Sequence, residues 1–169
     1  MAERIHPLAT FAAGSPDCPA VQLAALPPAT RLIIRGDASV LAMIGLAVPD
    51  TCRATTFGGN SLLWLGPDEF LLLVSDDAAP LLASSVDLSH RDTALTVSGP
   101  RAAWVINAFC ALDLHPAAFP VGMCTRTVLG KAEVVLWRIA AETFRIEAAR
   151  SLAPYIWACL EEARREFLA

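Results

Sequence analysis

The sequence predicts an α+β fold in which a unit of strand, helix, three strands and helix occurs twice. Strand and helix patterns recur in the same order in two halves, residues 30–85 and 86–169. Gly36 and Gly99 each follow a strand pattern and precede a helix pattern, and they align the halves at an offset of 63 residues. The 169 residues are 55% hydrophobic, which is enough for one folded core. We therefore expect a single domain with an internal pseudo-repeat.

The first segment, residues 1–29, contains five of the twelve prolines of the chain. Proline fixes the backbone φ angle and has no N–H group to donate, so it interrupts helices and the interior of sheets. We therefore predict an irregular N-terminal segment without regular elements.

The first half begins with an alternating, β-branched run from Thr30 to Arg35, which is typical of a strand. Asp37 is placed to cap a helix that runs to Val48, because an aspartate side chain accepts hydrogen bonds from the first free N–H groups of a helix. The remaining predicted elements are strands at 51–57, 61–65 and 70–74, turns at 58–60 and 66–69, and a helix at 76–85.

The second half repeats this order. The predicted elements are a strand at 93–97, a helix at 101–111, strands at 125–129, 133–139 and 144–148, and a helix at 152–167. Gly99 and Pro100 open the first of these helices, since proline is favoured at the first helical position. Ser151 is predicted to cap the second helix, and Pro154 is tolerated in its first turn.

One aromatic residue of the final helix departs from the apolar stripe of that helix. The stripe consists of residues at helical spacing: Leu152, Tyr155, Ile156, Cys159, Leu160, Ala163 and Phe167. Trp157 lies off the stripe, on the face that carries Glu161 and Arg164. Two interpretations are open: the N-terminal segment covers Trp157, or a partner protein contacts it, because tryptophan is enriched in interfaces.

Arginines are concentrated in and beside the last three strands: Arg126, Arg138, Arg145 and Arg150. Arginine binds carboxylates through two parallel hydrogen bonds and is enriched at interfaces. Codon bias is the simpler explanation, because Lys131 is the single lysine of the chain. The candidate interface residues are therefore Trp157, Arg150 and Arg126.

Composition and charge exclude several classes of protein. The net charge of −4 argues against a nucleic-acid binder that relies on a basic surface. No apolar run reaches the roughly 20 residues that span a bilayer, and the N-terminus lacks the continuous apolar centre of a secretory signal. The five cysteines show neither CxxC spacing nor a disulfide pattern. We expect a cytoplasmic protein without nucleic-acid or membrane partners.

The search for catalytic residues gives no assembled site. The run from Ser89 to Asp92 supplies the residue types of a hydrolase, but neighbours on a strand point to opposite faces and triads combine distant segments. No glycine-rich phosphate loop occurs, and His6, His90 and His115 are not at metal-ligand spacing. The sequence therefore predicts no catalytic, cofactor-binding or metal-binding residue.

Seven segments of the chain are distinctive when taken together. They are Leu63 to Leu72, Val86 to Arg91, Ser98-Gly99 with Ala102, Leu112 to Pro116 with Phe119, Arg126 to Gly130, Phe144 to Ile146 and Arg150 to Trp157. In this order they resemble the gamma subunit of heterotetrameric sarcosine oxidase. The resemblance extends from about residue 30 to the C-terminus, and the patterns L-W-L-G-P-D-E and R-S-x-A-x-Y-x-W carry most of its specificity.

This resemblance implies a fold like the folate-binding domain of the glycine-cleavage aminomethyltransferase. It also implies a complex that oxidatively demethylates sarcosine to glycine and forms hydrogen peroxide and, with tetrahydrofolate, methylene-tetrahydrofolate. The implied partners are the alpha, beta and delta subunits. The implied cofactors FAD, FMN, NAD and tetrahydrofolate belong to those partners, and the gamma chain is an accessory subunit with no cofactor of its own.

Three alternatives remain open. The chain could be a stand-alone folate-dependent aminomethyl or one-carbon transferase, the gamma chain of a complex that oxidises another secondary amine, or a diverged scaffold of the same fold. Folate-using relatives place a carboxylate in the strand pair after the second helix. Here that region offers only Glu133, beside Lys131 in a predicted turn. We therefore expect no independent folate chemistry.

Overall fold

The computed structural model describes residues 6–13, 15–36, 41–42, 47–74 and 85–168, which contain ten strands in two antiparallel sheets. The strands are β1 Gln22–Ala25, β2 Thr30–Arg35, β3 Ala54–Phe57, β4 Asn60–Gly66, β5 Glu69–Val74, β6 Ser85–Asp87, β7 Asp92–Ser98, β8 Cys124–Leu129, β9 Ala132–Ala140 and β10 Thr143–Ala149. The helices are α1 Ala9–Ala13, α2 Ala102–Asn107 and α3 Ala153–Arg164, and a 3₁₀ turn follows at Arg165–Phe167. The predicted α+β class is confirmed.

Four strands of each sheet follow the same order of pairing. The N-terminal sheet has the order β3-β4-β5-β2-β6, and the C-terminal sheet has the order β8-β9-β10-β7-β1. In each sheet three consecutive strands form two hairpins, and the last of the three pairs with an earlier strand: β5 with β2, and β10 with β7. The short strands β6 and β1 complete the sheets by pairing with β2 and β7.

Glycines close the first hairpin of the N-terminal sheet. Gly58 and Gly59 have φ angles of 50° and 82° and lie between the paired residues Phe57 and Asn60. A two-residue hairpin turn needs positive φ at both central positions, which glycine adopts without strain. The turn predicted at 58–60 is therefore confirmed.

The two sheets pack face to face, and helices cover the outer face of the C-terminal sheet. The core between the sheets contains Leu63, Leu71, Leu73 and Cys124, with Val135 and Trp137 packed against it. A larger core lies between the C-terminal sheet, α2, α3 and the N-terminal segment. On the outer face of the N-terminal sheet, Leu41 packs against the other side chains of β2, β4 and β5. All six residues of β5 are buried because both faces of this strand are covered.

The predicted strands are confirmed with small shifts at their ends. The strand predicted at 51–57 begins only at Ala54, because a turn precedes it in which Cys52 has a φ of 57°. The helix predicted from Asp37 to Val48 lies mostly outside the described residues: positions 41 and 42 are helical, whereas positions 47 and 48 are not, so its predicted end at Val48 is wrong. The helix predicted at 76–85 lies outside them up to residue 84, and Ser85 begins β6.

The prediction of an irregular N-terminal segment is wrong in two places. Ala9–Ala13 form the short helix α1, and Gln22–Ala25 form β1 at the edge of the C-terminal sheet. Both elements fall between the prolines, so neither loses a backbone donor. The prolines therefore flank these two elements but do not prevent them from forming.

Both helices predicted in the second half differ at their ends. The helix predicted at 152–167 is α-helical to Arg164 and continues as a 3₁₀ turn to Phe167. The helix expected at 101–111 ends at Asn107, whose side-chain amide donates to the carbonyls of Cys110 and Leu112 and so binds the chain after the helix. Ser151 does not cap α3: the N-cap is Leu152, and no side chain caps this helix. The turn from β10 continues directly into α3, with the Leu152 N–H donating to the Ala149 carbonyl, so the helix begins one residue later than expected. Pro154 lies in the first turn as predicted.

Candidate functional site

A buried ion pair connects the two sheets. Arg31 lies on β2 and Glu147 on β10, and their side chains are 1% and 4% exposed. Arg31 Nε donates to Glu147 Oε2 over 2.6 Å. Arg145 lies two positions before Glu147, hence on the same face of β10, and its Nε donates to Glu147 Oε1 over 2.7 Å. One carboxylate thus binds two guanidinium groups inside the protein.

A second carboxylate connects the sheets near their edge. Glu69 begins β5, and Arg126 of β8 donates to both of its oxygens. Arg35 Nη2 lies 2.9 Å from Glu69 Oε2. The hydrogen bonds from Arg126 hold the pKa of Glu69 below its usual value. Arg126, a candidate interface residue, therefore has a partner within the chain, while its side chain stays 39% exposed.

A cleft of about 190 Å³ lies beside these ion pairs, between the sheets. Its charged lining residues are Glu69, Arg91, Asp92, Arg126, Glu133 and Glu147. Burial raises the pKa of Asp92, because removal from water disfavours the charged carboxylate. The carboxylates of Glu69 and Glu147 each form an ion pair with an arginine of the opposite sheet. These carboxylates thus join the two sheets.

Glu133 lies in β9, as the strand predicted at 133–139 requires. The turn before it consists of Gly130 and Lys131, and β9 begins at Ala132. Gly130 has a φ of 61°, which a tight hairpin turn needs. Glu133 pairs with Val128 of β8 and lines the cleft as an exposed residue.

The serine of the hydrolase-like run serves the backbone. Ser89 Oγ accepts a hydrogen bond from the Arg31 N–H over 2.9 Å. Positions 89–91 form a turn before β7, and this turn leaves His90 exposed. Among the described residues, no group of three or more His, Cys, Asp or Glu side chains is arranged to bind a metal ion.

Of the two interpretations left open for Trp157, the structure supports cover by the N-terminal segment and not a partner contact. The side chain of Trp157 is 1% exposed and belongs to the core under the C-terminal sheet. Its Nε1 donates to Glu161 Oε1 over 3.1 Å, and the same carboxylate accepts hydrogen bonds from Ser15 and Arg164. The N-terminal segment therefore packs over this face of α3. Charged neighbours did not indicate exposure here, because the charges bond to one another and to Trp157.

The remaining arginines of the last strands occupy different environments. Arg138 is buried, and its guanidinium donates to the carbonyls of Leu114 and Phe119. Arg145 binds Glu147, as described above. Arg150 is half-buried just after β10, and its backbone N–H donates to the Arg91 carbonyl over 2.9 Å. Most of this arginine cluster thus stabilises the fold from within.

A different tryptophan is exposed. Trp104 of α2 is 61% exposed, whereas Ala102, Val105 and Ile106 of the same helix are buried. The helical period could have indicated this, since Trp104 lies off the face that the other three share. Trp104 is therefore a surface residue that the sequence prediction missed, whereas Trp157, which was named, is buried.

The family is decided by comparison with known sequences. The family model described as "Sarcosine oxidase, gamma subunit family" matches residues 35–166. The chain belongs to this family. Among curated relatives, the gamma subunit of sarcosine oxidase from Corynebacterium sp. (strain U-96) is 34% identical over 146 residues, covering 79% of this chain and 71% of the relative. The gamma subunit from Corynebacterium sp. (strain P-1) is 33% identical over 165 residues, covering 87% of this chain and 81% of the relative.

Solved structures extend the comparison to the fold. A chain of the heterotetrameric sarcosine oxidase from Corynebacterium sp. U-96, solved in complex with pyrrole 2-carboxylate, matches with a TM-score of 0.89 and 31% identity, covering 98% of this chain and 97% of that chain. The glycine cleavage system aminomethyltransferase T from Bartonella henselae matches with a TM-score of 0.58 and 12% identity, covering 90% of this chain and 48% of that chain. The second match shows a shared fold only.

In the described part of this gamma-family chain, no helix is long and apolar enough to cross a membrane.

Proposed function

We propose that this chain is the non-catalytic accessory subunit of a heterotetrameric sarcosine oxidase-type complex. The observation that carries the proposal is the match, over nearly the full length of both chains, with a chain of a solved heterotetrameric sarcosine oxidase. The inter-sheet ion pairs support a structural role, because Glu69 and Glu147 bind arginines of the chain itself. The complex demethylates sarcosine oxidatively to glycine, with formation of hydrogen peroxide and methylene-tetrahydrofolate.

In this proposal the partners are alpha, beta and delta subunits, and these hold FAD, FMN, NAD and tetrahydrofolate. The compartment is the cytoplasm. Arg126 and Arg150 remain predicted contact residues for a partner, since both keep part of their side chains at the surface. Trp157 no longer belongs to this set, because it is buried.

We also infer that the chain is one domain made of two related halves, 30–85 and 86–169. The support is topological: β2-β5-β4-β3 and β7-β10-β9-β8 follow the same order of pairing. A shared core and the Arg31–Glu147 ion pair link the halves, which supports a single unit.

Assembly tests the proposed function. We expect the tagged chain, co-expressed with the alpha, beta and delta subunits, to be recovered with them in one complex after affinity and size-exclusion chromatography. The recovered complex is then assayed with sarcosine and with other secondary amines, which distinguishes sarcosine oxidation from a related activity. Recovery of the chain alone, under conditions where the other subunits assemble, would contradict the proposal.

The second candidate is a stand-alone folate-dependent aminomethyl transferase, which the fold shared with the aminomethyltransferase favours. The inter-sheet cleft that Glu133 lines, about 190 Å³, is smaller than the roughly 300–1,000 Å³ usual for ligand pockets, which argues against a folate site beside Glu133. Calorimetric titration of the isolated chain with a reduced folate separates the two. Micromolar binding that Glu133→Gln weakens would favour the transferase.

A further inference from the structure

An open groove of about 680 Å³ lies on the helical side of the C-terminal sheet. The start of α2, the segment around His115 and the turn between β9 and β10 form its walls, and Phe144 and Arg138 lie at its base. Trp104 stands on one wall with 61% of its surface exposed. An aromatic side chain beside an open groove is the kind of surface that protein interfaces use.

Arg138 gives this groove a fixed shape. Its guanidinium donates to the carbonyls of Leu114, Phe119 and Ala141, which belong to the segments on either side. The guanidinium carbon also lies 5.0 Å from the centroid of the Phe144 ring, a cation–π geometry. The donors of Arg138 are thus directed at backbone carbonyls, and the groove exists before any partner binds. A preformed surface loses little conformational entropy on association.

The charges on the groove favour a basic partner over a second copy of the chain. Asp113 and Glu142 are exposed lining residues of the groove, and His115 is the one other exposed titratable residue among them. Arg101 is exposed at the start of α2, outside the lining. In a two-fold dimer the same patch faces itself, which would bring carboxylates together. A segment carrying lysine or arginine meets these carboxylates with opposite charge.

We propose that this groove binds a segment of another subunit of the complex, with an apolar side chain packed on Trp104 and a lysine or arginine beside it that pairs with Asp113 and Glu142. This inference rests on the proposed function and adds to it the face of the chain that meets a partner.

The test is assembly of the whole complex with single sites changed. The chain is co-expressed with the alpha, beta and delta subunits, an affinity tag is placed on the alpha subunit, and the amount of chain recovered per alpha subunit is measured. We expect Trp104→Ala to lower recovery at least tenfold, since buried interface tryptophans dominate binding energy. The double variant Asp113→Lys/Glu142→Lys should lower it as well. Val86→Ala is the control, because Val86 is 56% exposed on the other sheet, and it should leave recovery unchanged.

The outcomes separate the two proposals. If the unchanged chain is not recovered with the alpha subunit, the proposed function fails and this inference fails with it. If the unchanged chain is recovered and both groove variants are recovered equally well, only this inference is overturned. If Trp104→Ala instead converts a dimer of the isolated chain to a monomer without changing recovery, the groove is a self-association surface and the inference is again overturned.

Discussion

Arg31 and Glu147 are 116 positions apart in the chain, yet Arg31 Nε and Glu147 Oε2 are 2.6 Å apart in the interior. Arg145 binds the other oxygen of the same carboxylate. A buried carboxylate that neutralises two guanidinium groups is costly to remove, because the cations that remain are held away from water. Glu147 is thus, with Glu69, one of the carboxylates that connect the two sheets beside their shared apolar core.

Glu147→Gln tests this dependence. We expect it to lower the free energy of unfolding by about 3–5 kcal/mol, since it leaves the buried Arg31 and the partly buried Arg145 without their counter-charge. Urea denaturation measures the change. The control is Glu162→Gln, because Glu162 pairs with Arg165 in an ion pair whose side chains are 61% and 70% exposed. Exposed pairs contribute about 1 kcal/mol or less. Equal losses in the two variants would contradict a special role for the buried pair.

Gly99→Ala should destabilise the contact between β7 and the N-terminal segment. Gly99 has a φ of 117°, and a Cβ atom there would lie 2.5 Å from the Ala20 carbonyl oxygen. We expect a loss of more than about 2 kcal/mol in the free energy of unfolding, from backbone strain and from the collision. Thermal denaturation measures it, and limited proteolysis of residues 15–20 reports displacement of the segment.

Gly58→Ala is the matched control for this prediction. Gly58 also has a positive φ, of 50°, but nothing lies within 4 Å of the Cβ position. The expected loss is therefore the left-handed backbone penalty alone, about 1 kcal/mol. If the two alanine variants lose the same stability, close packing of Gly99 against Ala20 is not the cause.

Trp157→Ala and Trp104→Ala should differ sharply in stability. Trp157 is fully buried in the largest core, so its truncation should lower the free energy of unfolding by about 3–5 kcal/mol. Trp104 is mostly exposed, and we expect its truncation to cost about 1 kcal/mol or less. Chemical denaturation of both variants checks the ranking. A larger loss for Trp104→Ala would contradict the burial that separates these two residues.

The strands were predictable from sequence because their signals are local. Alternation in Thr30–Arg35 and the glycines at 58 and 59 act within a few residues, and both predictions are confirmed. The N-terminal strand β1 was missed because its place in the sheet depends on β7, far along the chain. Short edge strands carry little pattern of their own.

The chemistry of the charged residues was not predictable from sequence. The arginines concentrated in the last three strands suggest carboxylate partners, but the sequence does not show which strands lie opposite these arginines. Glu147 meets Arg31 only because β2 and β10 belong to sheets that pack face to face. Trp157 was ambiguous for the same reason, since the N-terminal residues that share its carboxylate partner lie more than 140 positions away. The exposure of Trp104, by contrast, was predictable from its position in the helical period.

His6 connects stability to pH. Its Nδ1 accepts a hydrogen bond from the Leu8 N–H over 3.1 Å, and its Nε2 lies 3.0 Å from Thr93 Oγ1. Burial lowers the pKa of His6, with the positive charges of Arg150 and Arg31 acting in the same direction. The folded protein therefore binds fewer protons than the unfolded chain in this pH range, and stability rises with pH.

We expect neutral His6 to stabilise the folded protein fully above the ordinary histidine pKa of about 6.5. This contribution to the free energy of unfolding is lost as the pH falls through the lower pKa that His6 has in the folded protein. His6→Gln, which keeps a polar side chain but cannot gain this charge, should flatten the decline in the free energy of unfolding between about pH 7 and pH 5. Urea denaturation at intervals across this range measures the slope. His115→Gln, at an exposed histidine, controls for the loss of an imidazole in itself. An unchanged slope in His6→Gln would exclude His6 as the group responsible.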